Sequence, residues 1–455
     1  MIHRPWIPHP DARLIDAASG TELAGRVLWD RIEQEAAELS TLPGGVLFSP
    51  APPSVPAVLR YLAALASERP VALLDPAIRA DVLLGLIDRY VPAVVADPPA
   101  GLLVPAGYRA TGDHWTRADA PEPHPDLAVL LTTSGSTGSP KLVRLAKDAV
   151  LANAGSVARA LGLTGADLWP TTLPLHYTYG LTTLNSHLAA GAGVLLTGEG
   201  LLDRGFWAAA DAFGATSLAA VPYQFEMLRR LRFDPAAHPA LRMITQSGAR
   251  LRADLVADFA ARMARGGGHL VKMYGMTEAP RIAVLPPEHL AARPGSVGRA
   301  VPGGALSIDA APGGEGEVVY RGANVMMGYA ESAADLARGD DMGGVLRTGD
   351  LGRLDDGFLY LTGRRRRIGK VFGVRVGLDD IEELLRGHGP VAAVAGDDRV
   401  VVFAEAATAA GGRELALTLA GRTGVHWSGF DVRGVPRLPL LASGKIDYRA
   451  LEAEL

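Results

Sequence analysis

Between Leu130 and Lys141 the sequence LLTTSGSTGSPK interleaves hydroxyls at Thr132, Thr133, Ser134, Ser136, Thr137 and Ser139 with Gly135 and Gly138, and ends on Lys141. Glycines let backbone N–H groups converge on an anion, hydroxyls add donors, and the lysine supplies a point charge, which together make phosphate-binding chemistry. The spacing is not the Walker A pattern, which needs a glycine directly before the lysine where Ser139 and Pro140 stand here, nor is it the dinucleotide fingerprint. A polar surface turn is the other reading of this segment taken alone. In YGMTE, Tyr274 offers an aromatic face on which a base can stack, while Thr277 and Glu278 offer a hydroxyl for phosphate and a hard carboxylate for Mg²⁺. Its plain alternative is a strand-end turn with a surface glutamate.

The elements that must position these groups follow from periodicity. From about Asp126 to Lys272 short apolar runs such as DLAVLLTT, GVLL and TSLAAV alternate with helical patterns, which predicts a mostly parallel sheet covered by helices. The earlier VLRYLAALA, VALLD and ADVLLGLIDRY read the same way. After Pro294, Gly and Pro turn signals separate short β-branched runs, which favours hairpins. Beyond GRRRRIGK the segments VRV, LDDIEELLRG, VAAVAGD, VVVFAEA, GRELALTLAGRT and DVRGV alternate as β-α-β-β-α-β. The expectation is an α/β protein: a large layered N-terminal domain over 1–365 with a β subdomain at about 295–362, then a small mobile α+β domain over 366–455.

Composition narrows the chemistry. Lys+Arg 45 against Asp+Glu 49 gives a net charge of -4 over 455 residues, so no global basic field favours nucleic acid or an anionic membrane. Cysteine is absent, which excludes a disulfide framework, a Cys-ligated zinc and a thiolate nucleophile. Any reactive thiol must come from a partner. No G-x-S-x-G segment occurs, which removes the serine-hydrolase reading. No apolar stretch reaches membrane length and the N-terminus lacks a signal-peptide core, so a cytoplasmic enzyme is expected. Oligomeric state is not readable from the sequence.

TSGSTGSPK resembles the phosphate-loop signature of the adenylate-forming superfamily, which includes acyl-CoA synthetases, nonribosomal peptide synthetase adenylation domains and luciferases. LPLHYTYGL (Leu173 to Leu181), KMYGMTEA (Lys272 to Ala279), RTGDLGRLDDGFLYLTGR (Arg347 to Arg364) and LPLLASGKIDYRAL (Leu438 to Leu451) are similar to further motifs of that family and follow in its order. The resemblance implies that Thr133, Ser134, Gly135, Ser136, Thr137, Gly138 and Lys141 hold the ATP phosphates. It implies that Ser247, Gly248 and Ala249 of QSGARL and Tyr274, Gly275 and Met276 flank adenine, and that Glu278 holds Mg²⁺ beside Thr277. Asp350 and Arg364 would then take the ribose.

The resemblance also implies that Lys445 is the cation between the acid carboxylate and the α-phosphate, where two anions must meet. It makes Arg366 the hinge of the small domain and Gly373 the point of close approach for a pantetheine arm, although KVFGVRV also reads as a plain hairpin. Arg366 and Gly369 depart from the family pattern, as does the short N-terminal portion. His176, Tyr177, Val221, Tyr223, Gln246, Gly248 and Met276 would line the acid pocket; a hydrogen-bonded core histidine is the other reading of His176.

LPLHYTYGL carries no aspartate to hold an ammonium, which points to an aryl, alkyl or polyketide-like acid. The expected activity uses ATP and Mg²⁺ to form an acyl-AMP and passes the acyl group to CoA. Its alternatives are a carrier-protein phosphopantetheine as acceptor, or a homologue that only transfers or binds a preformed adenylate.

Overall fold

The computed structural model describes residues 8–132, 141–311, 313–364, 367–372, 374–405, 407–423, 425–441 and 444–455. They divide into two units, one of residues 1–305 with 320–346 and one of residues 306–319 with 347–455.

In the first unit the apolar runs become strands buried on both faces. Leu47–Pro50, Val71–Leu74 and Leu127–Thr132 lie side by side and parallel near the middle of an eight-stranded sheet. Its edges are antiparallel, so the expected mostly parallel sheet holds only in its centre. The reason is local: Leu127–Thr132 pairs antiparallel with the next strand, Leu142–Ala146, and the connection between them is shorter than the dozen or so residues a parallel crossover requires. Gly328–Ala330, from the Gly/Pro-rich part of the chain, closes this edge by pairing with Leu142–Ala146.

A second sheet has the order Ser217–Ala220, Met243–Gln246, His269–Met276, Ala279–Leu285 and Arg299–Ala300. The first three strands are parallel and the last two antiparallel. The helix Ala253–Arg265 joins two of the parallel strands, and its Leu255, Val256, Phe259 and Met263 recur at helical spacing and are buried. Phe259 meets Phe225 edge-on at 4.9 Å, and each such buried side chain contributes roughly 2 kcal/mol of apolar transfer. Asp254 in its first turn and Arg262 and Arg265 in its last complement the helix dipole, and Gly266–Gly268 end it.

Two deeply buried arginines tie parts of this unit together, and the terminal guanidinium nitrogens of each donate several hydrogen bonds, while Arg144 Nε has no partner. Arg144, with no exposed surface, donates to Asp341 Oδ2 at 2.6 Å and to the carbonyls of Met327, Arg338 and Gly339. Arg69 donates to the carbonyls of Leu39, Leu42, Pro43 and Gly45.

A four-stranded sheet, most of it in the second unit, has the order Ala305–Asp309, Gly316–Arg321, Val345–Asp355 and Phe358–Arg364. The hairpin Ile368–Val371 with Val374–Gly377 follows. Next come Leu378–Leu384 (helix), Val391–Gly396 and Arg399–Glu405 (strands), Ala409–Thr423 (helix) and Phe430–Val435 (strand), which with Val374–Gly377 ahead of them make the β-α-β-β-α-β order read from the sequence. Val391, Val400, Val402, Leu415, Leu419 and Phe430 form a core of this unit's own. Among the described residues no helix is long and apolar enough to cross a membrane.

Candidate active site

In open α/β sheets ligands collect beyond the carboxyl ends of the parallel strands. Three neighbouring parallel strands of the second sheet end at Ala220, Gln246 and Met276, and the segments that follow them carry Val221 and Tyr223, Ser247 to Ala249, and Thr277 with Glu278. Residues scattered over 58 positions of sequence therefore emerge from one end of one sheet.

Each is fixed by its surroundings. Gly248 sits at φ +96 and its backbone lies so near its neighbours that an added Cβ would fall 2.9 Å from Val221 Cγ1 and 3.0 Å from the Tyr177 hydroxyl oxygen. Only glycine fits both the conformation and the space. Gln246 is buried and donates from Nε2 to the Ala249 carbonyl at 2.8 Å, which closes the QSGARL turn. Tyr274 is buried, and the ladder between Lys272–Met276 and Ala279–Leu285 shifts register between Tyr274 and Met276. Gly275 lies in that irregularity, where an added Cβ would meet the Pro280 carbonyl oxygen at 2.3 Å.

Thr277 and Glu278 form the two-residue turn of this hairpin. Glu278 Oε1 accepts a hydrogen bond from the Tyr329 hydroxyl at 2.6 Å, and Lys141 Nζ lies 5.8 Å from the Tyr329 ring centroid and pairs with Glu331 at 2.5 Å. Thr178, at the start of the helix Thr178–Ala189, donates to the Thr277 hydroxyl at 3.0 Å, so LPLHYTYGL and KMYGMTEA meet. His176 Nε2 lies 3.8 Å from Asp75 Oδ2; burial pushes the imidazole pKa down while Asp75 pulls it up. Tyr177 and Tyr179 meet edge-on with ring centroids 6.5 Å apart, and burial raises both phenol pKa values.

A single carboxylate beside a hydroxyl, Glu278 with Thr277, suits a hard cation that takes most of its oxygens from phosphates and water. Among the described residues no group of three or more His, Asp or Glu side chains forms a ready-made metal cage.

In the second unit Asp350 is buried and stands directly opposite Arg364 in the antiparallel ladder. Its backbone N–H donates to Thr348 Oγ1, whose hydroxyl in turn donates to the Val318 carbonyl at 2.9 Å. Lys445 lies in a turn closed by the bond from Leu441 N–H to its own carbonyl. Arg367, from the run of four arginines, is engaged by Asp379, by Glu382 at 2.8 Å and by the Tyr448 ring at 4.0 Å. Burial works against its charge, and those partners outweigh burial and hold the guanidinium protonated. Thr133, Ser134, Gly135, Ser136, Thr137, Gly138, Arg366 and Gly373 lie outside the described residues.

Sequence reasoning passed over Asp75, Tyr329 and Arg281. Asp75 and Tyr329 are distant in sequence from what they touch and carry no local signal. Arg281 carried one: a cation inside the apolar strand Ala279–Leu285, where a strand buried along its length has no reason to hold a charge. Its Nη1 donates to Ser247 Oγ at 2.8 Å and its guanidinium lies 4.9 Å from the Tyr179 ring centroid.

A family model described as AMP-binding enzyme matches residues 94–330. The indoleacetate–CoA ligase of Aromatoleum aromaticum is 33% identical over 396 residues, covering 81% of this chain and 75% of its own. The oxalate–CoA ligase of Arabidopsis thaliana is 28% identical, with 83% and 81% covered. The o-succinylbenzoate CoA synthetase of Bacillus subtilis, solved with its acyl-adenylate intermediate, has the same fold at a TM-score of 0.76 and 22% identity, over 96% of this chain and 94% of that one. The chain belongs to the AMP-binding enzyme family, the adenylate-forming ligases. It is an acid–thiol ligase of the AMP-forming kind, which activates a carboxylic acid as its acyl-AMP and transfers the acyl group to CoA.

Proposed function

We propose that this ligase binds ATP and its acid at the carboxyl end of the second sheet. Adenine stacks on Tyr274, the backbone of Ser247 to Ala249 lies on its other side, and Thr277 and Glu278 face the phosphates. The observation that carries this reading is the convergence of Gly248, Tyr274 and Thr277, with Thr178 reaching Thr277 from the acid-pocket segment. The loop 133–140 and Lys141 hold the triphosphate, Asp350 and Arg364 take the ribose, and His176, Tyr177, Val221, Tyr223, Gln246 and Met276 shape the acid pocket.

The acid carboxylate attacks the α-phosphorus, the bond from that phosphorus to the bridging oxygen breaks, and pyrophosphate leaves with the electron pair. Lys445 neutralises the two anions that meet in this step. Glu278 would hold Mg²⁺, which would supply charge neutralisation on the phosphates. In the second step a thiol sulfur attacks the acyl carbon, AMP leaves with the electron pair of the broken anhydride bond, and the thiol proton passes to solvent. The C-terminal domain from 366 onward, hinged at Arg366, moves between the two steps, and Gly373 then approaches the pantetheine arm. The acid is an aryl, alkyl or polyketide-like carboxylate and the enzyme acts in the cytoplasm.

Acid-dependent exchange of labelled pyrophosphate into ATP tests the first step. The wild type exchanges with at least one acid, and Lys445→Ala loses about 100-fold or more of that rate. CoA consumption compared with loading of a carrier-protein phosphopantetheine then separates the two acceptors. Retention of full exchange by Lys445→Ala removes the role given to that residue.

A further inference from the structure

Arg281 is among the largest side chains of the chain with almost no exposed surface, at 1%. Arg144 has the Asp341 carboxylate and Arg69 has four backbone carbonyls, whereas Arg281 has neither a carboxylate nor a set of carbonyls. Among the described residues its one side-chain hydrogen bond goes to a neutral hydroxyl, Ser247 Oγ, its Nε has no partner, and no carboxylate pairs with it. Burial lowers its pKa, with the nearby Tyr179 and Tyr177 opposing. A buried guanidinium without an anion is costly, and such a cost persists where a ligand supplies the missing charge.

The position of the group says which ligand. It stands beside Ser247, adjacent in sequence to Gly248, at the strand ends that form the proposed acid site. It also borders a small, partly open cavity of about 10 Å³, lined further by Thr182, Thr183, His187, Ser217 and Thr245. A group that pairs with the guanidinium therefore has little space for further chain beyond it.

We propose that Arg281 is a specificity-determining residue that receives a second carboxylate of the substrate, and that the substrate is a short dicarboxylic acid. This rests on the ligase reading above. One carboxylate of the diacid attacks ATP while the other pairs with the guanidinium, which offers two parallel N–H donors to a planar anion. An acid with an uncharged tail leaves the guanidinium as unanswered as it is in the free protein.

The test is pyrophosphate exchange with malonate, succinate and glutarate against propionate, butyrate and valerate, in wild type, Arg281→Met and Arg281→Lys. In the wild type the best diacid exceeds its matched monoacid by about 100-fold or more in kcat/KM. Arg281→Met loses that preference chiefly through KM for the diacid, keeps or gains exchange with monoacids, and melts no lower than the wild type because an unpaired buried charge is gone. Arg281→Lys keeps part of the preference. If Arg281→Met does not fold, the wild-type preference, the Arg281→Lys profile and the rise in Tm of the wild type with malonate or succinate decide the matter.

Exchange with monoacids but not diacids, or an unchanged diacid preference in either variant, overturns the assignment of Arg281 and leaves the ligase standing. Exchange with none of these acids, while aryl acids are exchanged, also overturns it. Exchange with no carboxylic acid at all brings down the ligase reading with it.

Discussion

At the scale of single residues, the most exposed claim is that Glu278 meets the metal-bound phosphates. Glu278→Gln keeps the shape and the Tyr329 hydrogen bond and removes the charge, so pyrophosphate exchange falls by about 100-fold, with a higher Mg²⁺ requirement. Tyr329→Phe removes only the bond that orients the carboxylate and costs about 10-fold or less; steady-state kinetics against Mg²⁺ tell the two apart. His187 offers a test of stability rather than rate. It is buried with Nδ1 on the Thr183 carbonyl at 2.8 Å, which fixes that nitrogen as the donor, and Nε2 on Ser217 Oγ at 3.2 Å. Burial pushes its pKa down from 6.5 to about 4, against the opposing pull of the Thr183 carbonyl and Asp167. Between those values the unfolded chain binds a proton that the folded protein refuses, so the stability contributed by neutral His187 is complete above pH 6.5. It is lost as pH falls toward 4, by about 3 kcal/mol. Denaturant unfolding at pH 7 and pH 4.5 measures this, and His187→Gln flattens that part of the dependence.

The single residues also mark what the sequence could disclose. Tyr274, Thr277, Glu278 and Gly248 stood out as candidates because each sits in a short segment, YGMTE or QSGARL, whose neighbours are of matching chemical type. Arg281, Tyr329 and Asp75 act through contacts with residues far along the chain, and no window of sequence contains both partners. The placing of Asp350 opposite Arg364 is intermediate, since antiparallel register alone sets it.

At the scale of elements, strand ends and glycines position the chemistry. Gly275 lets the strand His269–Met276 shift register beside Pro280, and Gly275→Ala drives a methyl into a backbone carbonyl. The expected cost is about 2 kcal/mol of stability together with loss of exchange, measured by thermal unfolding and the exchange assay side by side. Thr178→Val deletes the bond between the acid-pocket helix and the turn while keeping the side chain's shape; it raises KM for the acid with a Tm close to wild type. Helix and strand placement followed from periodicity through most of the chain. The sense of strand pairing did not, because it depends on connection length, and the turn back at Leu142–Ala146 made an antiparallel edge where alternation alone suggested parallel order.

At the scale of the whole molecule, ATP binding and acid binding are assigned to the first unit, while Asp350, Arg364 and Lys445 are carried by the second. The atoms of the proposed reaction can be followed. An acid labelled with ¹⁸O in its carboxylate, chosen as the best acid in the exchange panel, is converted with ATP and CoA, and the released nucleotide is weighed. Because the carboxylate oxygen attacks the α-phosphorus and stays on it when the thiol displaces AMP, the account predicts AMP carrying one ¹⁸O per turnover. Unlabelled AMP, or ADP in its place, contradicts it.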